Sequence, residues 1–131
     1  MPYTDENGKT RRVLAVDFDG VISSYSGWNG LGRFGEPVEH CRTSLQALQN
    51  MGWDIIIFTT RGDDIKEVER YLNFHRIPYD KINENMESSP ENVSDRKVLA
   101  DVYLDDRAVT FNGDWLEASA QIIFHEPWWR K

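Results

Sequence analysis

Val13-Leu14-Ala15-Val16-Asp17-Phe18-Asp19-Gly20-Val21 is the stretch that decides the fold. Four apolar residues run without a break into two aspartates, two positions apart, and a glycine. A short apolar run with no polar alternation reads as a strand buried on both faces, the pattern of a parallel sheet. Open sheets of that kind bind ligands in the crevice beyond the carboxyl ends of their strands, which is where Asp17 and Asp19 fall. Alternation along an extended chain points both carboxylates the same way, so two like charges crowd unless a cation or a proton relieves them. Magnesium suits such a place, being a hard ion that takes carboxylate oxygens and keeps waters for a phosphate ligand. Taken alone, D-x-D-G is also an ordinary surface-turn sequence, since Asp and Gly are both turn residues.

Two more apolar runs follow the same plan. Ile55-Ile56-Ile57-Phe58 ends in Thr59-Thr60-Arg61, and Ala100 to Leu104 ends in Asp105-Asp106-Arg107, with Lys97 just upstream. Between the first two runs, Val38, Cys41, Leu45, Leu48 and Met51 recur at helical spacing. Pro37 suits the first turn and Gly52 the stop, predicting a helix from Pro37 to Met51. A second helix is expected from Asp63 and Asp64, which favour its N-terminus, through Ile65, Val68 and Leu72 to about Arg76. Tyr79 to Ile82 reads as a strand and Glu84 to Ser94, around Ser88-Ser89-Pro90, as a loop. A last strand is expected over Gln121 to Phe124, after the turn at Asn112-Gly113. Alternating strands and helices predict an α/β class, a doubly wound parallel sheet of about five strands with helices on both faces.

The 131 residues, 40% hydrophobic and 28% charged, fit one domain spanning 1–131, with residues 1–11 expected as a flexible lead-in. The apolar runs are too short to cross a bilayer and residues 1–12 lack a signal-peptide core, so the expectation is a cytoplasmic protein with no membrane partner. Cys41, the single cysteine, fits a helix's apolar stripe, and His40, His75 and His125 have no metal-ligand spacing. A net charge of -7 argues against avid nucleic-acid binding, which needs a basic surface. Trp128-Trp129 either packs back on the domain or supplies an interface, which is compatible with a homo-oligomer.

A strand-end D-x-D, a strand-end hydroxyl, a lysine and a second acidic pair, in that order, resemble the four motifs of the haloacid dehalogenase superfamily of phosphatases and phosphotransferases. The matching residues are Asp17-Phe18-Asp19-Gly20-Val21, Thr59, Lys97 and Asp105-Asp106, and the resemblance covers Arg12 to Thr110. It implies a Rossmann-like core that needs Mg2+ and acts on a small phosphorylated metabolite or nucleotide through an aspartyl-phosphate. Asp17 would be the nucleophile and Asp19 the general acid and base. Thr59 would hydrogen-bond a phosphoryl oxygen and Lys97, favoured over Lys81, would neutralise charge. Metal would be held by Asp17, the Asp19 carbonyl, Asp105 and Asp106, with the division of labour between the last two left open. Gly20, Thr60, Arg61 and Arg107 would lie against substrate, the arginines alternatively pairing with nearby acids.

The family's specificity usually comes from a cap domain, and neither inter-motif gap here has room for one, so the chain resembles a capless member. The loop from Ser23 to Glu36, with four glycines, three aromatics and Arg33, would then be either a flap over the site or a linker whose aromatics pack on the domain. Short likenesses of Phe58 to Asp63 to polynucleotide kinase-phosphatases, and of Asp105-Asp106-Arg107 to deoxyribonucleotidases, make a nucleic-acid 3'-phosphatase the alternative. A receiver-like or phosphate-binding domain without turnover is the third reading. Chain order opposes a receiver, whose phosphorylated aspartate lies in mid-chain and whose lysine comes last.

Overall fold

The computed structural model describes residues 3–86 and 97–130. Strands β1 (Tyr3–Thr4), β2 (Thr10–Asp17), β3 (Trp53–Phe58), β4 (Lys81–Ile82) and β5 (Val102–Leu104) and helices α1 (Cys41–Asn50), α2 (Ile65–Phe74) and α3 (Trp115–Phe124) follow one another as β1-β2-α1-β3-α2-β4-β5-α3, with a 3-10 turn at Trp128–Arg130. Four strands form an open parallel sheet in the order β5-β2-β3-β4, the α/β class expected. From β2 the chain steps outward through β3 to β4 and then returns to the other side of β2 as β5. That reversal creates a crevice between the carboxyl ends of β2 and β5, the position where such sheets bind ligands.

The strands are short and polar side chains extend their ladders. Asp101 accepts from the Val13 amide at 2.7 Å while donating its own amide to the Val13 carbonyl at 2.8 Å. Asp80 makes the same exchange with Ile55, at 2.7 and 2.8 Å. Asn83 accepts from the Thr59 amide at 2.8 Å and donates to its carbonyl at 3.0 Å, fixing the chain just past β3. Each exchange satisfies backbone groups that a two- or three-residue edge strand cannot reach.

Alternation splits β2 and β3 between two cores. Leu14, Val16, Ile55 and Ile57 face Leu45 of α1 and Val68, Tyr71 and Leu72 of α2, together with Phe18 and Ile22. Each fully buried aliphatic chain there contributes about 1.5–3 kcal/mol. Phe18, Phe34 and Tyr71 meet edge to face, with centroids 5.2 to 5.3 Å apart. On the opposite face Val13, Ala15 and Ile56 pack against Val98, with Phe58, Met86 and Ala100 at the margin. Among the described residues, α1 and α2 therefore share one face of the sheet, and non-helical chain covers the other.

Several local expectations change. The segment before Arg12 is a hairpin, β1 pairing antiparallel with Thr10 and Arg11. Helix α1 begins at Cys41 because Pro37 and Val38 pair back with Ser23 and Ile22. It stops where expected, at Gly52 with φ 99°. The strand expected over Gln121 to Phe124 is instead the last turn of α3, whose N-terminus is capped by Asp114 accepting from the amides of Leu116 and Glu117. A three-residue apolar run does not distinguish strand from helix, and the cap eight residues upstream, Asp114, decides it. Ser88-Ser89-Pro90 lies outside the described residues. No described helix is long and apolar enough to cross a membrane.

Candidate active site

Asp17 closes β2, Thr59 and Thr60 follow β3, Asn83 follows β4, and Asp105 and Asp106 follow β5, so one edge of the sheet carries all of them. They line a cleft of about 790 Å³ together with Asp19, Tyr25, Trp28, Lys97, Tyr103 and Arg107. Of the ten site residues expected from sequence, eight border this cleft, and Gly20 and Arg61 do not.

Asp17, Asp105 and Asp106 each bring a carboxylate oxygen within 4.8 Å of the others. The crowding expected between Asp17 and Asp19 occurs in this trio, because the Asp19 carboxylate is held elsewhere. Burial, the adjoining Asp106 carboxylate and the charge of Asp105 push the Asp17 pKa from 3.8 up to about 8, against the pull of the Phe18 amide, which donates to Asp17 at 2.9 Å. Asp106 Oδ1 is buried with no hydrogen-bond partner. An orphaned carboxylate oxygen beside two more carboxylates is a donor set that fits a hard cation or a shared proton.

Two indoles that sequence reasoning left undecided frame this trio. Trp129 Nε1 donates to Asp106 Oδ2 at 2.5 Å, and Trp128 Nε1 donates to the Gly20 carbonyl at 2.6 Å. Gly20 has φ 84°, and a Cβ there would sit 2.3 Å from Asp106 Oδ2 and 2.9 Å from Trp129 Nε1. Its glycine is therefore explained by the close approach of Asp106 and the indole, a correction to its assignment against substrate. Arg107 does border the cleft, its guanidinium 5.5 Å from the Trp129 ring and 6.0 Å from that of Tyr25. The Lys97 ammonium stands 5.3 Å from the Tyr103 ring centroid, on the cleft wall.

Arg61 departs furthest from its expected role. It is 4% exposed, and all five of its N–H groups are engaged. Nε and Nη2 grip Asp19 Oδ2 and Oδ1 at 2.6 and 3.0 Å, and Nη1 donates to Asp64 Oδ2 at 2.9 Å. The remaining two bonds reach the carbonyls of Gly30 and Arg33 at 3.3 and 3.2 Å. Trp28 and Phe34 close over the guanidinium, each ring centroid 4.7 Å away. No donor is left for a substrate, so of the two roles open to it in the sequence, pairing with nearby acids is the one realised. Asp64 is drawn into the same knot, accepting also from the Gly32 amide at 2.8 Å, and so makes no cap for α2.

The loop from Ser23 to Glu36 is thus fastened to the body. Tyr71 Oη donates to the Gly35 carbonyl at 2.9 Å, Gly35 donates to Ser23 Oγ at 3.0 Å, and Phe34 enters the core. Thr59 Oγ1 accepts from the Arg61 amide at 3.1 Å, which leaves its hydroxyl proton for an acceptor in the cleft. Asn83, Trp128 and Trp129 are site residues that the sequence did not reveal. The only signals were an Asn directly after a strand and a pair of indoles.

No protein-family model and no curated protein matches the sequence. Among solved structures, the fold is similar to that of a conserved protein from Bacteroides thetaiotaomicron, with TM-score 0.64 and 26% identity over 86% of this chain and 90% of that one. A crystal structure from Vibrio cholerae aligns over 85% of this chain and 95% of its own at 22% identity, with TM-score 0.49. The first likeness supports the α/β fold derived above.

Proposed function

We propose that this protein is a magnesium-dependent phosphohydrolase that cleaves a phosphomonoester through an aspartyl-phosphate on Asp17. The observation that carries the reading is the meeting of Asp17 with Asp105 and Asp106 at the chain-reversal crevice, within one cleft that also holds Thr59 and Lys97. Asp17 attacks phosphorus as its carboxylate, and the bond to the leaving oxygen breaks. Asp19 supplies the proton that the leaving oxygen takes. Asp19 then accepts a proton from the water that attacks the phosphorus, releasing phosphate and restoring Asp17. Thr59 donates its hydroxyl to a phosphoryl oxygen, and Lys97 offsets charge on the transferring group. A magnesium ion held by Asp17, Asp105 and Asp106 would polarise the phosphoryl oxygens. Cleft size and net charge favour a small phosphorylated metabolite or nucleotide over a nucleic-acid end.

Both Asp19 oxygens accept from Arg61, so its proton transfers use the remaining lone pairs of a carboxylate already held by a guanidinium. The same observation favours a second reading, in which Asp17 is phosphorylated but turnover is slow. Hydrolysis of p-nitrophenyl phosphate with and without Mg2+, in the native protein and in Asp17→Asn, tests the first. The expected result is turnover that needs Mg2+ and is lost in the variant. Retained turnover in Asp17→Asn overturns the mechanism. A phosphate adduct on Asp17 without turnover, detected by intact mass after incubation with acetyl phosphate, selects the second reading.

A further inference from the structure

Helix α3 carries the sequence WLEASAQIIF, and among the described residues it joins neither of the two buried clusters that flank the sheet. Trp115, Leu116, Ile123 and Phe124 are 71% to 85% exposed, and only Ala118 is buried. The exposure has a pattern. Trp115 and Leu116 recur two turns later as Ile122 and Ile123, so the four share one face. Glu117 and Gln121, hydrogen-bonded to each other at 3.0 Å, take the other side. Phe111 extends the apolar face by packing at a tilt against Trp115, with centroids 5.3 Å apart. Nearby in the chain, β5 pairs among the described residues with β2 alone, and none of its three residues is charged.

We propose that this α3 face is where a second copy of the chain seats, forming a two-fold dimer. Aromatic side chains present about 150–250 Å² each, so Trp115 and Phe111 at these exposures together with Leu116, Ile122 and Ile123 amount to on the order of 650 Å² per copy. That lies within the roughly 600–1,000 Å² that one partner contributes to a stable interface and at the upper limit of the roughly 300–600 Å² apolar patch a typical monomer leaves uncovered. The face is also complementary to itself. A two-fold axis sets α3 antiparallel to its mate, and the bulky Trp115-Leu116 pair of each copy then meets the Ile122-Ile123 pair of the other, with every contact made twice. The single charged residue of the helix, Glu117, lies off this seam, so a chain of net charge -7 meets its copy where charge is sparse. This inference stands apart from the proposed chemistry.

Sedimentation equilibrium of the full chain at 0.1 and 0.5 M NaCl provides the test. A mass of twice 15.3 kDa is expected, with association undiminished or tightened at the higher salt as repulsion between two acidic copies is screened. Leu116→Lys and Ile123→Lys should each raise the dimer dissociation constant about 100-fold or more, because a two-fold axis buries each new charge twice. Phe74→Lys, at an 81% exposed apolar residue on α2, should leave it unchanged, and circular dichroism reports that all three variants are folded. A native chain that stays monomeric up to millimolar concentration overturns the proposal, and points to a different occupant of the face. A dimer that persists in folded seam variants, or that Phe74→Lys dissolves, overturns the placement.

Discussion

Replacing Arg61 by Met removes all five hydrogen bonds of the guanidinium while keeping most of its apolar volume. Three of those bonds end on carboxylates, and the side chains concerned are largely sequestered: 2% exposed for Arg61, 20% for Asp19 and 3% for Asp64. Solvent therefore screens little of the interaction, and removing one member of a buried pair costs about 3–5 kcal/mol because the partner's charge is left uncompensated. Set against the 5–15 kcal/mol that typically holds a domain together, the loss is a large fraction of the total. For a chain of this size, about 4 °C of melting temperature per kcal/mol converts it into a fall of roughly 10–20 °C. Urea unfolding and calorimetry of native and Arg61→Met protein provide the measurement. Arg61→Lys should lie between the two, since an ammonium keeps the charge but cannot bridge Asp19, Asp64 and two loop carbonyls together. Adding Asp19→Asn to Arg61→Met should recover part of the loss, because the orphaned charge is then gone. A melting temperature within about 3 °C of native for Arg61→Met would show that the knot carries little of the fold's stability.

Two further outcomes concern the carboxylate trio. Because the folded Asp17 pKa of about 8 lies above its unfolded value of 3.8, the folded state holds an extra proton between them. The metal-free protein should thus lose stability as pH rises from about 4 toward 8 on account of this group, and level off beyond. Carbon-13 carboxyl shifts that place the Asp17 titration near pH 4 would contradict this. Trp129→Phe deletes the indole donor to Asp106 and, if the trio holds a divalent ion, should weaken Mn2+ binding about 10–100-fold by electron paramagnetic resonance with the fold intact. Unchanged affinity would mean that the indole plays no part in setting the carboxylate.

The parts of the fold that were legible in the sequence are those with local causes. Val13 to Val16 and Ile55 to Ile57 have no polar face, so they read as central strands, and the polar residues that end them fall at the cleft by necessity. The site residues that escaped notice depend on contacts between distant parts of the chain. Trp128 reaches Gly20 across 108 positions, and Arg61 reaches Asp19 across 42. Nothing near Arg61 distinguishes a guanidinium that grips a substrate from one enclosed by two aspartates and two carbonyls. Helix α3 was misread because Ile122-Ile123-Phe124 fits either period, and the deciding carboxylate of Asp114 lies outside that window. Likewise Pro37 is a sound helix opener that the pairing of Ser23 with Pro37 overrides.

The Arg61 knot has a consequence for how this chain can be modified. On the function proposed above, the segment from Ser23 to Glu36, which directly follows the first acidic motif, is a place to graft new specificity. Here the backbone of that segment is wired, through the carbonyls of Gly30 and Arg33, to the same guanidinium that holds Asp19. Lengthening or shortening residues 28–34 therefore also pulls on Asp19. Grafts inserted between Ser24 and Gly27, upstream of both carbonyls, leave that wiring in place and are the ones to build first.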